Sequence, residues 1–553
     1  MPRGGIRVGS DLVRERSSSR PIRRATGLLL GLAMLVACTR GTTPMRPQPA
    51  PVAGPGPAVV QTATGAVRGV VSPGYRVFEG IPYAAAPVGP LRFQPPQPAA
   101  PWPGVRDATK PGLRCIQDTS IDPDYGRPTG EDCLNLNVWS PDGAIKSSQK
   151  PVMVWIHGGS FLNGSADIYD ARWLATQGDI VVVTINYRLG TMGFLAHPAL
   201  SPDGNIGNYG FADQQAALRW VHDNIAEFGG DPSKVTIAGE SAGAMSVCDH
   251  LVAPDSAGLF RAAILQSGPC QAQADRATAQ QVSTDYATGV GCTDPEAVAA
   301  CLRSLPTKTL QSAPFYVGFG PDKLIGPVTG TDRLPTDPMT AFALDRAPRV
   351  PVLVGSNGDE FAMFTAIRYL KNGRLPPYPK LLSDTFGADA AAVAQRYPLE
   401  RFGGSEGLAY SAAVTDSIFA CPTDRIASGL AHTGPVYAYE FNDRTAPAPD
   451  PLRAAPFPVG ASHSLELRYL FDVGGAPPLD PAQRQLSDEM VAYWSQFVKT
   501  GAPDVSGLPD WPRLGTDGAT GKWLSLQTGQ LSITEDFGPR HLCPFWAVLK
   551  GNR

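Results

Sequence analysis

Histidine is scarce in this chain: seven stand among 553 residues, at 157, 197, 222, 250, 432, 463 and 541. No cluster of His and Cys shows the spacing of a metal site, which argues against a metal enzyme and calls for no cofactor. Charged residues amount to only 18%. Most of the basic charge near one end lies in residues 1–37, which hold seven Arg against Asp11 and Glu15, so the rest is more acidic than the formal −3. An acidic body has nothing to neutralise phosphates with, which excludes nucleic acid as a partner. No internal repeat is visible, and no apolar run is long enough to span a bilayer. Those absences leave a globular chain acting on something small.

Hydrophobic residues make up 43%, enough for a sizeable core, and 59 Gly and 55 Pro are spread throughout, as in a loop-rich enzyme. At the N-terminus Arg20, Arg23 and Arg24 precede the apolar run from Gly27 to Ala37, too short for a transmembrane helix and right for a signal h-region. Leu35-Val36-Ala37-Cys38 resembles the bacterial lipobox, in which the Cys is lipidated and becomes the new N-terminus. Residues 1–37 are therefore expected to be a lipoprotein signal. Plain cleavage near Ala37, with Cys38 incidental, is the alternative. Residues 38–59, with Pro44, Pro47, Pro49, Pro51, Pro55 and Pro57, read as a stiff tether before one domain over 60–550. The protein is expected outside the cytoplasm, touching membrane only through that anchor. Cys38 aside, eight Cys remain, an even number that suits disulfides in an oxidising compartment.

From about residue 60 short β-rich runs alternate with longer helical patterns. Val152–Ile156, Ile180–Ile185, Val235–Ala238, Ala262–Leu265, Val352–Val354 and Val436–Tyr439 are strand candidates. Between residues 208 and 228 apolar positions recur at helical spacing until Gly229-Gly230-Asp231-Pro232 stops them. Continuous apolar strands separated by helices imply an α/β fold whose mostly parallel sheet is covered on both faces.

Gly239-Glu240-Ser241-Ala242-Gly243 has the nucleophile-elbow pattern G-x-S-x-G, a weak signal alone in a Gly-rich chain. Its context strengthens it: a strand ends just before the motif and a helix begins just after. Such a Ser needs a base, an acid that orients the base, and donors for an oxyanion. Donors are expected from the N–H of Ala242 and from Gly158 and Gly159, in the loop His157-Gly158-Gly159 at the end of a strand. The base should follow the Ser in this order of residues. His222 lies within a helix, His250 follows the elbow in a structural place, His432 precedes a strand, and His541 beside Cys543 helps dock the C-terminus. His463, in the loop Gly460–Glu466, is left. The acid should follow Val352–Val354, where Asp359 and Glu360 are adjacent, and residue chemistry alone does not choose between them.

With these residues in view, the chain resembles the type-B carboxylesterase family, α/β-hydrolases that include cholinesterases, fungal lipases and bacterial para-nitrobenzyl esterases. Phe78–Ala84, Glu131–Val138, Asn186–Gly190, Asn208–Gln214 and Phe228–Pro232 match it as well, so the resemblance covers about residues 60–550. It implies a serine carboxylesterase with Ser241, Glu360 and His463 as catalytic triad, since the family acid follows G-x-N-x-D-E. It further implies that Glu240 and Ser267 support the triad from around it, and disulfides Cys115–Cys133, Cys292–Cys301 and Cys421–Cys543. Cys248 and Cys270 remain unassigned by it, either a pair or buried thiols. Two departures stand out. Ala244 replaces the family's usual Gly and is expected to narrow the base of the site. The loop from Cys115 to Cys133 holds Tyr125 but no Trp, against the cation–π site of cholinesterases.

The expected substrate is a small carboxylic ester of short to medium acyl chain, since the first loop leaves little room for a long lid. A lipase or amidase specificity, or a non-catalytic binding member of the family, are the competing readings. The natural substrate and the oligomeric state are not written in the sequence.

Overall fold

The computed structural model describes residues 58–118, 127–201, 204–515 and 521–551. The signal, Cys38, nearly all of the tether and Tyr125 lie outside the described residues.

Eleven strands make the main sheet: β1 (Val70–Ser72), β2 (Tyr75–Pro82), β3 (Asn135–Pro141), β4 (Lys150–Ile156), β5 (Val181–Ile185), β6 (Gly230–Glu240), β7 (Ala262–Gln266), β8 (Val352–Asn357), β9 (Val436–Phe441), β10 (Trp523–Leu526) and β11 (Ser532–Thr534). Their order across the sheet is β11-β10-β9-β8-β7-β6-β4-β5-β3-β2-β1. The run from β10 to β5 is parallel throughout, and the outer pairings at both edges are antiparallel. All six strand candidates from the sequence sit in the parallel part. The antiparallel strands escaped notice because they are short or carry polar residues, as Asn135, Asn137 and Ser140 do in β3.

Strand alternation explains why both faces are covered. Val152, Val154 and Ile156 of β4 point to one face, with Ala263 and Leu265 of β7, while Met153 and Trp155 point to the other, with Ala262 and Ile264. The first face packs against helices α1 (Tyr209–Asn224) and α2 (Ala242–Val252) through Leu218, Val221, Met245 and Leu251. The second packs against α3 (Ala362–Asn372) and the long α6 (Pro481–Thr500), through Ala366, Met490, Trp494 and Phe497. The helix expected over 208–228 is α1 continued by a 3₁₀ turn, Ile225–Phe228, and Gly229 at φ 90° closes it in the left-handed region that Gly tolerates. Asp480 begins α6 with a capping box, its carboxylate accepting from Gln483 N–H at 2.9 Å. Among the described residues no helix is long and apolar enough to cross a membrane.

Four disulfides tie the loops: Cys115–Cys133, Cys248–Cys270, Cys292–Cys301 and Cys421–Cys543. Cys248 and Cys270 therefore pair with each other.

Candidate active site

The parallel strands all end on one side, and the candidate residues collect there because each follows a strand. Gly158 and Gly159 follow β4, Ser241 follows β6, Ser267 follows β7, and Glu360 follows β8. Brief loops at strand C-termini are where α/β sheets present chemistry.

Ser241 stands between β6 and α2 at φ 55°, ψ −123°, a backbone state that L residues seldom adopt. The turn is possible because its neighbours lack side chains: a Cβ on Gly243 would stand 1.9 Å from the Ile156 carbonyl oxygen. The N–H of Ser241 donates to Gln266 O at 2.9 Å, which fixes the turn to β7. A Cβ on Gly158 would lie 2.7 Å from Glu240 Oε2 and 3.0 Å from Ser241 Cβ, so that loop touches the elbow directly. Gly159, at φ 104°, continues the same loop in a conformation reserved for Gly. Among the described residues, the N–H groups of Gly158, Gly159 and Ala242 donate to no protein acceptor. Ala242 is the first residue of α2, where an N–H has no partner within the helix.

The loop with the two glycines is held from behind. His157 stacks on Tyr187 with ring centres 4.4 Å apart, and Tyr187 Oη–H donates to His157 O at 2.8 Å. Arg188 next to it makes a buried bidentate pair with Asp213 of α1, both contacts 2.7 Å. This is the structural reason for the Asn186–Gly190 and Asn208–Gln214 stretches. Burial pushes His157 down to about 4, so its ring is neutral.

His463 is buried and its Nδ1 lies 2.6 Å from Glu360 Oε2. Glu360 Oε1 accepts from Asn357 N–H at 2.8 Å, and His463 N–H donates to Glu360 O at 3.2 Å, so acid and imidazole share one rigid frame. Asp359 points away: it pairs with Arg444 at 2.9 Å and accepts from Ala461 N–H at 3.1 Å, holding the loop that carries His463. Of the two adjacent carboxylates, Glu360 is the one that meets His463.

The Nε2 of His463 lies 3.2 Å from Glu240 Oε1, and no hydrogen bond joins it to Ser241 Oγ among the described residues. Catalytic hydrogen bonds in ligand-free sites often tighten only when substrate binds. Glu240 also accepts from Ser464 Oγ–H at 2.6 Å. A further carboxyl, Glu466, sits fully buried behind them, accepting from Asn357 Nδ2 at 2.6 Å and Gln266 Nε2 at 3.3 Å. Burial would lower the His463 imidazole, but Glu240, Glu360 and Glu466 outweigh it and hold it up at about 9. Burial, with Glu240 and Glu360 nearby, lifts Glu466 to about 8, and burial raises Glu240. Glu466 and Asn357 were not singled out from sequence. Both lie inside motifs already recognised, which fix their positions but not their burial.

Phe364 and Phe419 flank the His463 ring at 5.1 and 5.0 Å, making an apolar wall. Ser267, at φ 53°, donates its N–H to Gly355 O at 2.8 Å, and its hydroxyl is buried without a protein partner. Ala244 faces Gly268, where an added Cβ would come within 2.7 Å of the alanine methyl, so the departure at 244 is accommodated by a glycine opposite. The remaining histidines keep their structural places. His250 is buried between Ser256 and Gln214, pushed down to about 3 by burial, while His222 and His432 lie at the surface beside Asp223 and Asp345.

The sequence profile of the Carboxylesterase family matches residues 56–546. The chain is 35% identical over 528 residues to rat (Rattus norvegicus) acylcarnitine hydrolase, covering 88% of this chain and 90% of the relative. It is 35% identical to human cocaine esterase, over 79% of this chain and 82% of that protein. A fumonisin B1 esterase from Sphingopyxis macrogoltabida is 36% identical, over 82% and 84%. An elbow serine at the edge of a doubly covered α/β sheet, matched across nearly its whole length, places this chain in the carboxylesterase family as a carboxylic ester hydrolase.

Proposed function

We propose that Ser241, Glu360 and His463 are the catalytic triad, with the N–H groups of Gly158, Gly159 and Ala242 as the oxyanion hole. The observation that carries this reading is the 2.6 Å pairing of His463 with Glu360 beside a strained serine elbow. In the first half-reaction His463 Nε2 takes the Ser241 hydroxyl proton as Oγ attacks the ester carbonyl. The resulting oxyanion accepts from the three N–H groups. Collapse breaks the bond to the alcohol oxygen, which leaves with the proton from His463. Water then attacks the acyl-enzyme with His463 again as base, and the carboxylic acid and Ser241 are released. Glu360 keeps Nδ1 protonated and stabilises the imidazolium. Glu240, 3.2 Å from His463 Nε2, and Ser267 behind the elbow support the site without taking part in bond making or breaking.

The acyl preference proposed is short to medium. The Phe364–Phe419 wall beside His463 supports an apolar acyl or alcohol group there. Relatives named for acylcarnitine, cocaine and fumonisin B1 carry different substrate names, so the natural ester of this chain must be found directly. Hydrolysis of para-nitrophenyl esters from acetate to palmitate, by wild type and Ser241→Ala, tests the reading. Fast turnover of short chains lost in the variant supports it. A preference for palmitate makes the chain a lipase, and equal inertness of both proteins overturns the triad.

Residues 60–550 are proposed as one esterase domain, exported by a signal over 1–37 and tethered through lipidated Cys38 by residues 38–59. Four disulfides support an oxidising compartment. The mass of the mature N-terminal peptide checks this: an unmodified Cys38 refutes the anchor.

A further inference from the structure

The second histidine held by carboxylates lies far along the chain from the first. His541 is buried, with Nδ1 2.5 Å from Asp416 Oδ1 and Nε2 2.6 Å from Glu440 Oε1. Burial alone would lower this imidazole, yet Asp416 and Glu440 outweigh it and hold it up at about 10. Glu440 also takes a 2.6 Å contact from Arg540, and Asp416 accepts from Tyr397 Oη–H at 2.7 Å. Glu440 lies near the C-terminal end of β9, on the side of the sheet where the site collects. Asp416 belongs to a single turn of π-helix, Thr415–Ala420, between helices α4 (Glu406–Val414) and α5 (Cys421–Ala431). The next residue, Cys421, is bonded to Cys543, two residues beyond His541.

The other residues of that turn reach the ester-hydrolysing site. Thr415 Oγ1 accepts from the N–H of Phe361, the neighbour of Glu360, at 2.9 Å. Phe419 packs 5.0 Å from the His463 ring and edge-on to Phe319 at 5.5 Å. A π-turn is a costly backbone state that recurs where function requires a side chain in one place. Here the ion pair and the disulfide hold it from outside while Thr415 and Phe419 meet the acid and the base inside. We propose that His541 is a positioning residue for ester hydrolysis, acting through the Thr415–Ala420 turn on Glu360 and His463. A C-terminal anchor that only docked the chain end would make no use of this turn. The proposal rests on the triad reading given above.

The test is a cycle of variants, His541→Gln, Phe419→Ala and both together, read as KM, kcat and the pH midpoint of kcat/KM on the para-nitrophenyl ester best hydrolysed. His541→Gln is expected to raise KM by about threefold or more. It should also move the acid-side midpoint by about 0.5 pH unit or more, since the surroundings of His463 change. In the Phe419→Ala background the same substitution should add less than about twofold, because contacting parts of one unit are not additive. Should His541→Gln not fold, Asp416→Asn breaks the same link and is held to the same readouts. A variant with a lower melting temperature but wild-type KM and pH midpoint overturns the proposal, as do independent effects in the cycle. If Ser241→Ala is inert while His541→Gln behaves as wild type, only this inference fails; if Ser241→Ala keeps its activity, the triad itself fails.

Discussion

At His463 three carboxylates face one imidazole, and their balance sets when the base works. In the mechanism proposed above the ring must be neutral to take the serine proton, so activity is expected to fall as pH drops through its titration. Glu240 is the largest of the influences raising His463 to about 9, opposing burial. Removing that charge in Glu240→Gln should therefore lower the acid-side midpoint of kcat/KM, by about 1–3 units for an opposite charge this close. A pH–rate profile of both proteins checks it; an unmoved midpoint would mean that Glu240 is already protonated in the working enzyme. Much of this residue-level arrangement was legible. Ser241, His157-Gly158-Gly159 and the His463 loop are local motifs, while His250 is held by Ser256 and Gln214 and His541 by Asp416 and Glu440. Glu360 was reached only through the family resemblance, because Asp359 and Glu360 differ by which one the loop turns inward. Glu466 was not legible, because its importance comes from burial against residues 106 to 226 positions away, and sequence pattern reports burial only through periodicity.

The elbow is the element whose energetics are most exposed to test. Ser241 holds φ 55° because β6 and α2 leave no other path for the chain, and such a state costs about 1–3 kcal/mol. Both Ser241→Gly and Ser241→Ala remove the hydroxyl proposed as nucleophile, but only Gly relieves the strain. Even after the greater flexibility of Gly in the unfolded chain, Ser241→Gly should exceed Ser241→Ala in stability by about 1 kcal/mol. Chemical denaturation of the two inactive variants measures this, and an Ala variant at least as stable as the Gly one would remove strain from the account. The same elements show what kind of pattern was readable. Buried parallel strands announce themselves as unbroken apolar runs, so β4 to β9 were found, with β6 longer than its apolar part implied. The antiparallel strands were not, since a short or half-polar strand acquires its identity from the neighbour it pairs with.

Over the whole molecule, the C-terminal segment is joined to the body by the Cys421–Cys543 disulfide, by the charged cluster around His541 and by the buried rings of Phe537 and Trp546. Cys421–Cys543 closes a loop of more than 100 residues and on the loop-entropy account contributes about 5 kcal/mol. The partners of His541 lie 125 and 101 residues earlier, which is why the sequence assigned it to docking without naming what it docks against. The cluster gives stability a pH window. His541 is raised from an ordinary value near 6.5 to about 10, so its contribution is complete below about 6.5 and is lost as pH rises through 10. Glu440 is pushed down to about 2, its burial outweighed by hydrogen bonds and charge from His541 and Arg540, so its contribution is complete above the ordinary carboxylate range and lost as pH falls towards 2. Asp416 works against both, since burial raises it despite the imidazolium. The difference in melting temperature between wild type and His541→Gln should therefore be greatest between about pH 5 and pH 7. Towards pH 10 it shrinks because the wild-type imidazolium discharges. Towards pH 3 it shrinks because the variant's stranded carboxylates take up protons and cease to repel. Thermal melts across that range decide the matter: a difference that stays constant with pH would mean that His541 stabilises the C-terminus by packing, with no contribution from its charge.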